Sequence, residues 1–448
     1  MYFYNSTRNS VNLYDINKII HFLDKEQYIS SDDVFRSNVF QEYCKNRQFL
    51  ITRINSDSII ERNLLLLQKN LTVEPNMLKK RIKTIYRGHV GGYVGYAKAN
   101  RNMIYSLLRL GVDVCLDPLS KLDNLIISEK AWLERIINIP DPDSIMIHSV
   151  VPSFAEKLDA KYNILYTAVE TGTVPQQFVD SCEMYDEIWV FSDFCKQVLS
   201  NAGVKKEIFV IPSGVDIRLY NENGSKHKFY PNLKEFVFVS VFGWNYRKGY
   251  DALLKSYVKF FSEKDPVTLL IVTSYQHDKN GKVVDYIGDE IKKFIRPFGP
   301  QIARAGYPII EKDMPRMYRA CNAFVLPTRG EGLCLPMLEA SLCGLPIIST
   351  NYSGQMMFLN DNNSFLVPID RMIQAKTDVH FWDSENMPAL DSEDFINRLG
   401  NAMQYVYKNY SEALKRNKSL QDDILCKYSC DTVGQLAKQR LEHIWNQI

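Results

Sequence analysis

The stretch PTRGEGLCLPMLEASLCGLP, residues 327–346, decides the fold class of this chain. Apolar runs of strand length lie on both sides of it, at 323–326 and at 346–349. Between them, Pro336 suits the first turn of a helix, where a missing N–H costs nothing. The pattern predicts a strand, a glycine-containing loop, a helix and a second strand. The loop and the helix N-terminus of such a unit can hold an anion.

Two carboxylates in this stretch, Glu331 and Glu339, are separated by seven residues. The spacing resembles the E-x7-E signature of retaining nucleotide-sugar glycosyltransferases of family 4, the group 1 type, which have the GT-B fold. The same spacing also occurs in ordinary βαβ units whose glutamates are solvated at the surface. The flanking Pro-Thr-Arg-Gly and Ala-Ser-Leu-Cys-Gly-Leu-Pro segments make the resemblance more specific than the spacing alone.

The resemblance implies transfer of a hexose-type sugar from a nucleotide-diphosphate sugar, UDP- or GDP-linked, to an acceptor hydroxyl with retention of anomeric configuration. Glu339 should bind the ribose and Glu331 the hydroxyls of the transferred sugar. The backbone N–H groups around Gly332, Leu333 and Cys334 should stabilise the departing diphosphate.

A second motif, VFGWNYRKGYD at residues 241–251, follows a predicted strand and opens a helix. Its adjacent cations, Arg247 and Lys248, can neutralise a diphosphate leaving group. Relatives have a Gly-Arg pair here, and Trp244 stands in place of that arginine. A solvated loop is the alternative interpretation. Fixed cations and amides stabilise such a charge electrostatically, so we expect no cofactor and no bound metal ion.

The N-terminal half begins with a predicted strand at 83–86, a glycine loop and a helix at 96–110. Gly91 and Gly92 of this loop resemble the family's loop whose backbone approaches the donor phosphates, since glycine lacks the Cβ that would prevent it. His148 follows another predicted strand and resembles the histidine that contacts the donor sugar. A histidine bonded within the fold is the alternative.

The predicted fold class is α/β, with two Rossmann-like domains that face a cleft and a small, mostly helical N-terminal module. We assign residues 1–80 to that module, of unknown role, with helices at 15–25 and 31–46. Residues 81–220 form the acceptor domain, and residues 221–448 form the donor-binding domain. We expect the last helix to pack back on the N-terminal domain.

Bulk properties limit the function classes. The chain has 448 residues, 46% hydrophobic and 24% charged, which is typical of a soluble globular protein with more than one domain. Its net charge of +2 does not favour a nucleic-acid partner. Nine cysteines without metal or disulfide spacing, and an N-terminus unlike a signal peptide, predict a cytoplasmic location.

Two other function classes stay open at this point. A catalytically weak nucleotide-sugar-binding or scaffold protein is suggested by Trp244 and by Gln355, which stands where relatives have glutamate. A transferase that acts on nucleic acid would use residues 1–80 as a clamp. The acceptor, whether glycan, lipid, protein or small molecule, and the oligomeric state do not follow from the sequence. The basic residues at 79–83 would suit peripheral membrane contact or a solvated face.

Overall fold

The structure is a computed structural model that describes residues 2–4, 12–15, 19–21, 28–30, 82–122, 125–156, 158–229, 233–273, 276–277, 283–305, 311–374 and 386–448. The chain forms two compact units. One contains residues 1–81 and 127–135, and the other contains residues 82–126 and 136–448. Both large sheets of the protein lie in the second unit.

The first unit contains the helix Ile127–Glu134 and short strands, β1 (Tyr2–Tyr4), β2 (Asn12–Asp15), β3 (Ile19–His21) and β4 (Tyr28–Ser30). β1 pairs with β4 and β2 with β3, both antiparallel. The helix predicted over 15–25 is therefore wrong. The β-branched Ile19 and Ile20 favour extended backbone over helix, although their spacing with later apolar residues fits either. The helix predicted over 31–46 lies outside the described residues.

The first large sheet consists of parallel strands that are mostly buried on both faces. They are β5 (Lys83–Gly88), β6 (Asp113–Pro118), β7 (Ile145–Ser149), β8 (Tyr162–Thr167), β9 (Glu187–Val190) and β10 (Ile208–Val210). Their order across the sheet is β10-β9-β8-β7-β5-β6. The strand order reverses between β5 and β7, which makes this edge the expected ligand-binding position of the sheet.

The second half contains the strands β11 (Phe236–Val241), β12 (Val267–Val272), β13 (Gln276–His277), β14 (Val283–Val284), β15 (Gln301–Ala305), β16 (Ala323–Leu326), β17 (Ile347–Thr350), β18 (Phe365–Val367), β19 (Met372–Gln374) and β20 (Asn386–Pro388). Six of them form a parallel sheet in the order β15-β12-β11-β16-β17-β18, which reverses between β11 and β16. β13–β14 and β19–β20 are antiparallel pairs. The predicted fold class of two Rossmann-like domains is confirmed.

Helices connect the strands of both sheets, and further helices follow the last strand. They are α1 (Gly95–Arg109), α2 (Gln176–Glu183), α3 (Asp193–Asn201), α4 (Tyr250–Phe260), α5 (Tyr286–Lys292), α6 (Met314–Arg319), α7 (Leu335–Leu342), α8 (Glu393–Lys408), α9 (Tyr410–Lys427) and α10 (Cys430–Trp445). Serine side chains accept hydrogen bonds from the first turns of α3, α8 and α10, which fixes where these helices begin.

The last helix, α10, lies against α1 of the first sheet domain. Lys438 donates a hydrogen bond of 3.0 Å to the carbonyl of Leu110, and Arg440 pairs with the buried Glu187 of β9 at 2.5 Å. A Cβ at Gly434 would lie 2.5 Å from the Cβ of Ser106, so only glycine permits this approach of the two helices. The last helix thus packs against the domain of the first large sheet, as expected from the sequence pattern of the fold.

Two observations bear on the cellular environment. No helix in the described ranges is long and apolar enough to cross a membrane. The cysteines within those ranges are free thiols. The cytoplasmic location stays a prediction.

Candidate active site

A cavity of about 910 Å³ lies between the carboxyl ends of the two sheets. The first half contributes the loop after β5, the start of α1 and Glu170 after β8. The second half contributes the loop after β11 and the loop that joins β16 to α7. Because the strand order of the second sheet reverses between β11 and β16, its two loops meet at the position where doubly wound sheets bind ligands.

Glu331 is buried at the centre of an ionic cluster in this cavity. Its carboxylate accepts hydrogen bonds of 2.6 and 2.8 Å from Lys248 Nζ and one of 2.9 Å from Thr328 Oγ1. Arg247 Nη1 lies 3.4 Å from Glu331 Oε1. Burial alone would raise the pKa of the Glu331 carboxyl, but Lys248 and Arg247 outweigh it and hold the pKa below its ordinary value.

Arg247 also joins the two halves of the molecule. Its Nη2 lies 2.9 Å from Glu170 Oε1, and its Nη1 donates a hydrogen bond to the carbonyl of Gly330. Glu170, Arg247, Glu331 and Lys248 therefore alternate in charge across the cavity. The structure brings together Glu331, Lys248 and Arg247, which the sequence predicted as catalytic residues.

A fully buried arginine fixes the loop that carries Glu331. Arg329 pairs with both carboxylate oxygens of Asp251, at 2.8 and 2.9 Å, and donates to the carbonyl of Tyr246 at 2.6 Å. Its guanidinium also stacks on the Tyr246 ring at 3.6 Å. This bidentate pair ties the loop after β16 to the start of α4, and so fixes Glu331 relative to Lys248.

Gln355 supports the same loop from the other side. The backbone N–H of Glu331 donates to Ser353 Oγ at 2.9 Å, and Ser353 Oγ donates to Gln355 Oε1 at 2.8 Å. Gln355 Nε2 donates to the carbonyl of Thr350 at 3.3 Å. Ser353 has a φ of 72°, a conformation costly for a non-glycine residue, and these bonds hold it there. Gln355, which stands where relatives have glutamate, thus helps to hold the loop that carries Glu331.

Trp244, the other departure from the family pattern, is not a lining residue of the cavity. It is buried, and its ring stacks on Tyr250 with 4.2 Å between centroids. Gly243 and Asn245 on either side of it line the cavity, whereas Trp244 does not. Trp244 therefore packs against the start of α4, and Arg247 and Lys248 are the cations that this loop presents.

Glu339 belongs to a second ionic cluster at the cavity wall. It is buried, and its Oε1 lies 2.5 Å from Lys98 Nζ of α1. Tyr318 donates a hydrogen bond of 3.3 Å to its Oε2. Lys98 also lies 3.3 Å from Glu311, and Arg101 pairs with Glu311 at 2.9 Å. Burial would lower the pKa of Lys98, but Glu339 and Glu311 outweigh it and raise that pKa.

The predicted glycine loop lies at the cavity, and its two glycines differ in role. Gly92 has a φ of 76° and lines the cavity. Gly91 does not line the cavity, and its N–H donates to Ser120 Oγ at 2.8 Å. A Cβ at Gly91 would lie 2.0 Å from the carbonyl oxygen of Lys121, so the position requires glycine. On the opposite wall, Gly332, Leu333 and Cys334 line the cavity as expected for a loop that opens α7.

His148 does not reach the cavity, so the geometry does not support its predicted catalytic role. Its neighbour on β7, Ser149, donates to Asn100 of α1 at 2.6 Å. Because successive strand residues point to opposite faces, His148 lies on the face away from α1. There it is fully buried and its Nδ1 lies 2.7 Å from the hydroxyl of Tyr185. Burial, with a smaller contribution from Arg87, lowers the pKa of His148 to about 4.

Sequence reasoning did not single out Lys98, Arg101, Glu311 and Tyr318. Lys98 and Arg101 stand three residues apart on the helix after the glycine loop, a spacing that places both on one helix face, and this signal was available. Glu311 and Tyr318 follow no motif. Among the described residues, no group of three or more His, Cys, Asp and Glu side chains is placed to hold a metal ion.

Comparison with solved structures identifies the class of fold. Sucrose-phosphate synthase of Thermosynechococcus elongatus matches with a TM-score of 0.60 at 14% identity, over 82% of this chain and 100% of that chain. Anabaena HepE in complex with UDP and glucose matches with a TM-score of 0.57 at 14% identity, over 81% and 100%. With its two parallel six-stranded sheets, the chain therefore has the two-domain GT-B fold of these neighbours.

Sequence comparison finds a family resemblance within the second half. Residues 234–378 match the family model described as Glycosyl transferases group 1. An Escherichia coli relative, UDP-Gal:alpha-D-GlcNAc-diphosphoundecaprenol alpha-1,3-galactosyltransferase, is 29% identical over 182 residues, which are 38% of this chain and 44% of that protein. The chain thus matches less than half of that relative's length. The segment that matches the group 1 glycosyltransferase model contains Arg247, Lys248, Glu331 and Glu339.

Proposed function

We propose that this chain transfers a sugar from a nucleotide-diphosphate sugar to an acceptor hydroxyl, with retention of anomeric configuration. One observation carries the proposal. Lys248 and Arg247 converge on Glu331 inside the cavity, where the strand order of the second sheet reverses and α7 begins. Two cations beside a helix start suit a diphosphate, and a carboxylate among them suits the hydroxyls of the attached sugar.

The proposed chemistry depends on charge that develops on the departing diphosphate. Lys248, Arg247 and the backbone N–H groups of residues 332–335 would stabilise that charge as the glycosidic bond breaks. Glu331 would hold the sugar hydroxyls, and Glu339, whose carboxylate is also at the cavity, would hold the ribose. These cations are fixed in place by Glu170 and Glu331, so little reorganisation would accompany the reaction.

The finer features of the proposal are the donor, the stereochemistry and the metal requirement. HepE was solved with UDP-glucose, which supports a UDP-linked donor here, with a GDP-linked donor as the second candidate. For retention, the acceptor hydroxyl would attack from the face that the diphosphate leaves, and the diphosphate would take its proton. Since two protein cations can neutralise the diphosphate, we propose that no metal ion is required.

The test is nucleotide release from a panel of UDP-, GDP- and ADP-sugars. Wild-type protein is compared with Glu331→Gln and with Glu393→Gln, a control in which the replaced carboxylate is exposed and pairs with Lys259. We expect release from one donor, lost in Glu331→Gln and retained in Glu393→Gln. Release that survives in Glu331→Gln would contradict the role of Glu331.

Two further outcomes of the panel separate the remaining function classes. Stabilisation by a nucleoside diphosphate without release from any donor would favour a binding protein over a transferase. No stabilisation by UDP, GDP or ADP would contradict the proposal as a whole. Once an acceptor is found, the anomeric coupling constant of the product tests retention. A retaining enzyme gives an α-linked product from an α-linked donor, whereas an inverting enzyme gives a β-linked product.

A further inference from the structure

Lys98 lies at the cavity wall between two carboxylates that belong to the other half of the molecule. Its Nζ is 2.5 Å from Glu339 Oε1 and 3.3 Å from Glu311 Oε1. The side chains of Lys98, Glu339 and Glu311 are 11%, 3% and 13% exposed. A buried ammonium is costly unless it is paired, so these two carboxylates fix the position of Lys98 and it fixes theirs.

Arg101, three residues along α1, extends this arrangement to the glycine loop. Its Nη2 lies 2.9 Å from Glu311 Oε2. Its Nη1 donates to the carbonyls of Val90 and Gly92 at 2.8 and 2.6 Å. One cluster of two cations and two carboxylates therefore holds both the Glu339 carboxylate and the loop on the opposite side of the cavity.

Glu339 retains acceptor capacity in this arrangement. A carboxylate offers about four lone-pair positions, and Lys98 and Tyr318 occupy one on each oxygen. The remaining positions suit a vicinal diol. Burial raises the pKa of the Glu339 carboxyl and Lys98 opposes that shift, so loss of Lys98 would favour the protonated acid, which is a weaker acceptor.

We propose that Lys98 is a positioning residue for the donor ribose, which holds and orients the Glu339 carboxylate and, through Glu311 and Arg101, sets its distance from the glycine loop. The inference rests on the proposed function, because it takes Glu339 as the residue that binds the ribose. A lysine at a cavity wall has one other use for a nucleotide, a direct contact with phosphate. The two roles differ in their dependence on the ribose hydroxyls.

The experiment measures dissociation constants of UDP, GDP and their 2′-deoxy analogues by calorimetry. The proteins are wild type, Lys98→Met, Glu339→Gln, the double variant and Lys98→Arg. We expect wild type to prefer the ribonucleotide by roughly tenfold, the worth of a hydrogen bond to a charged group. Lys98→Met and Glu339→Gln should each reduce the preference to about twofold, the double variant should lose no more, and Lys98→Arg should retain part of it.

The matched control is Arg440→Met, which also breaks a buried ion pair, between α10 and Glu187, but outside the cavity lining. It should retain the full ribonucleotide preference even where it lowers the melting temperature. If Lys98→Met does not fold, Lys98→Gln is judged by the same ratio.

Equal weakening of ribo- and deoxyribonucleotides by Lys98→Met, with the preference intact, would overturn the proposal in favour of phosphate contact. Additive losses in the double variant would also overturn it, since the two residues would then act separately. Wild type that binds neither UDP nor GDP would contradict the UDP- or GDP-linked donor of the proposed function. That failure is distinct from one confined to the Lys98 variants.

Discussion

The two sheets differ in what they place at the point where their strand order reverses. In the second sheet, the loop after β11 presents Arg247 and Lys248 within 3.4 Å of Glu331, which the loop after β16 presents. In the first sheet, the loop after β5 lines the cavity with residues that include Gly92, and His148 near the end of β7 contacts Tyr185 and does not line the cavity. The second half thus contributes most of the charged side chains at the cavity. The first half contributes Glu170, two cations on α1 and the backbone of the loop after β5.

The largest expected effect follows from removal of a charge at the second reversal point. Lys248→Ala takes away the ammonium that lies 2.6 Å from Glu331, and Glu331 is left buried with only Arg247 to offset its charge. We expect turnover of the donor to fall by about 100- to 1000-fold, the range for loss of one group that stabilises a developing charge. Steady-state kinetics on the donor identified by the panel measures it.

Lys259→Ala is the control for that variant. Lys259 lies on α4 and pairs with the exposed Glu393, away from the cavity lining. Its kinetics should stay within about twofold of wild type, because exposed ion pairs contribute little. If Lys248→Ala were as active as Lys259→Ala, the charged loops of the second sheet would not be where the departing diphosphate is stabilised.

A smaller effect is expected where the halves touch through backbone. A Cβ at Gly330 would lie 1.7 Å from the carbonyl oxygen of Glu170. Gly330→Ala must therefore push apart the loop with Glu331 and the segment after β8, and a shift near 1 Å costs roughly 100-fold in kcat/KM when it displaces reacting groups. We expect a loss between tenfold and about that value.

Gly95→Ala offers a comparison at a glycine that lines the cavity. A Cβ there meets nothing within 4 Å, and Gly95 opens α1 with ordinary helical backbone. Its kcat/KM should stay near that of wild type. Equal losses in the two variants would mean that the contact between Gly330 and Glu170 has no special importance for the geometry of the site.

His148→Gln should change donor kinetics by less than about twofold, because burial of His148 against Tyr185 keeps it from the donor. Its effect should fall on stability. Burial lowers the pKa of His148 to about 4, below the ordinary value of about 6.5, so between these pH values the unfolded chain binds more protons than the folded one. Stability from this group is then complete above pH 6.5 and is lost as the pH falls towards 4.

Denaturant unfolding of wild type and His148→Gln at pH 7 and pH 4.5 checks this expectation. The wild type should lose up to about 3 kcal/mol more than the variant on acidification, since other titrating groups contribute equally to both proteins. If His148→Gln reduced kcat/KM for the donor more than tenfold and left stability unchanged, His148 would act at the active site. The first sheet would then also contribute a catalytic side chain.

The smallest expected effect is that of metal removal. Lys248 and Arg247 already place two positive charges beside Glu331, so turnover after exhaustive EDTA treatment and dialysis should match that before it. Donor turnover with and without added Mg²⁺ or Mn²⁺ is the measurement. A loss on EDTA treatment that Mg²⁺ restores would show that these two cations do not suffice.

Much of the second half could be predicted from the sequence. Arg247, Lys248 and Glu331 each follow a buried strand within a short contiguous motif, and the carboxyl ends of parallel strands meet at one edge. Such residues converge once the strands are placed correctly. The same reasoning predicted that Gly91 and Gly92 approach the donor, and of these two glycines Gly92 lines the cavity and Gly91 does not.

His148 shows where that reasoning ends. A residue at the end of a strand faces one side of the sheet or the other, and a shift of one residue exchanges the two. The sequence around His148 does not fix this choice, because all five residues of β7 are buried. Only the contacts of Ser149 with α1 and of His148 with Tyr185 decide it. Likewise, Ile19 and Ile20 fitted a helical spacing but form a strand.

By itself, the sequence determined the alternation of strands and helices, the two-domain α/β class and the charged motifs at 241–251 and 327–346, because these depend on neighbours along the chain. Tertiary structure alone decided that Lys98 and Arg101 pair with Glu339 and Glu311, and that Glu170 meets Arg247. Each of these ion pairs joins side chains far apart in sequence. Their partners were set by the packing of one sheet domain against the other, which local pattern does not encode.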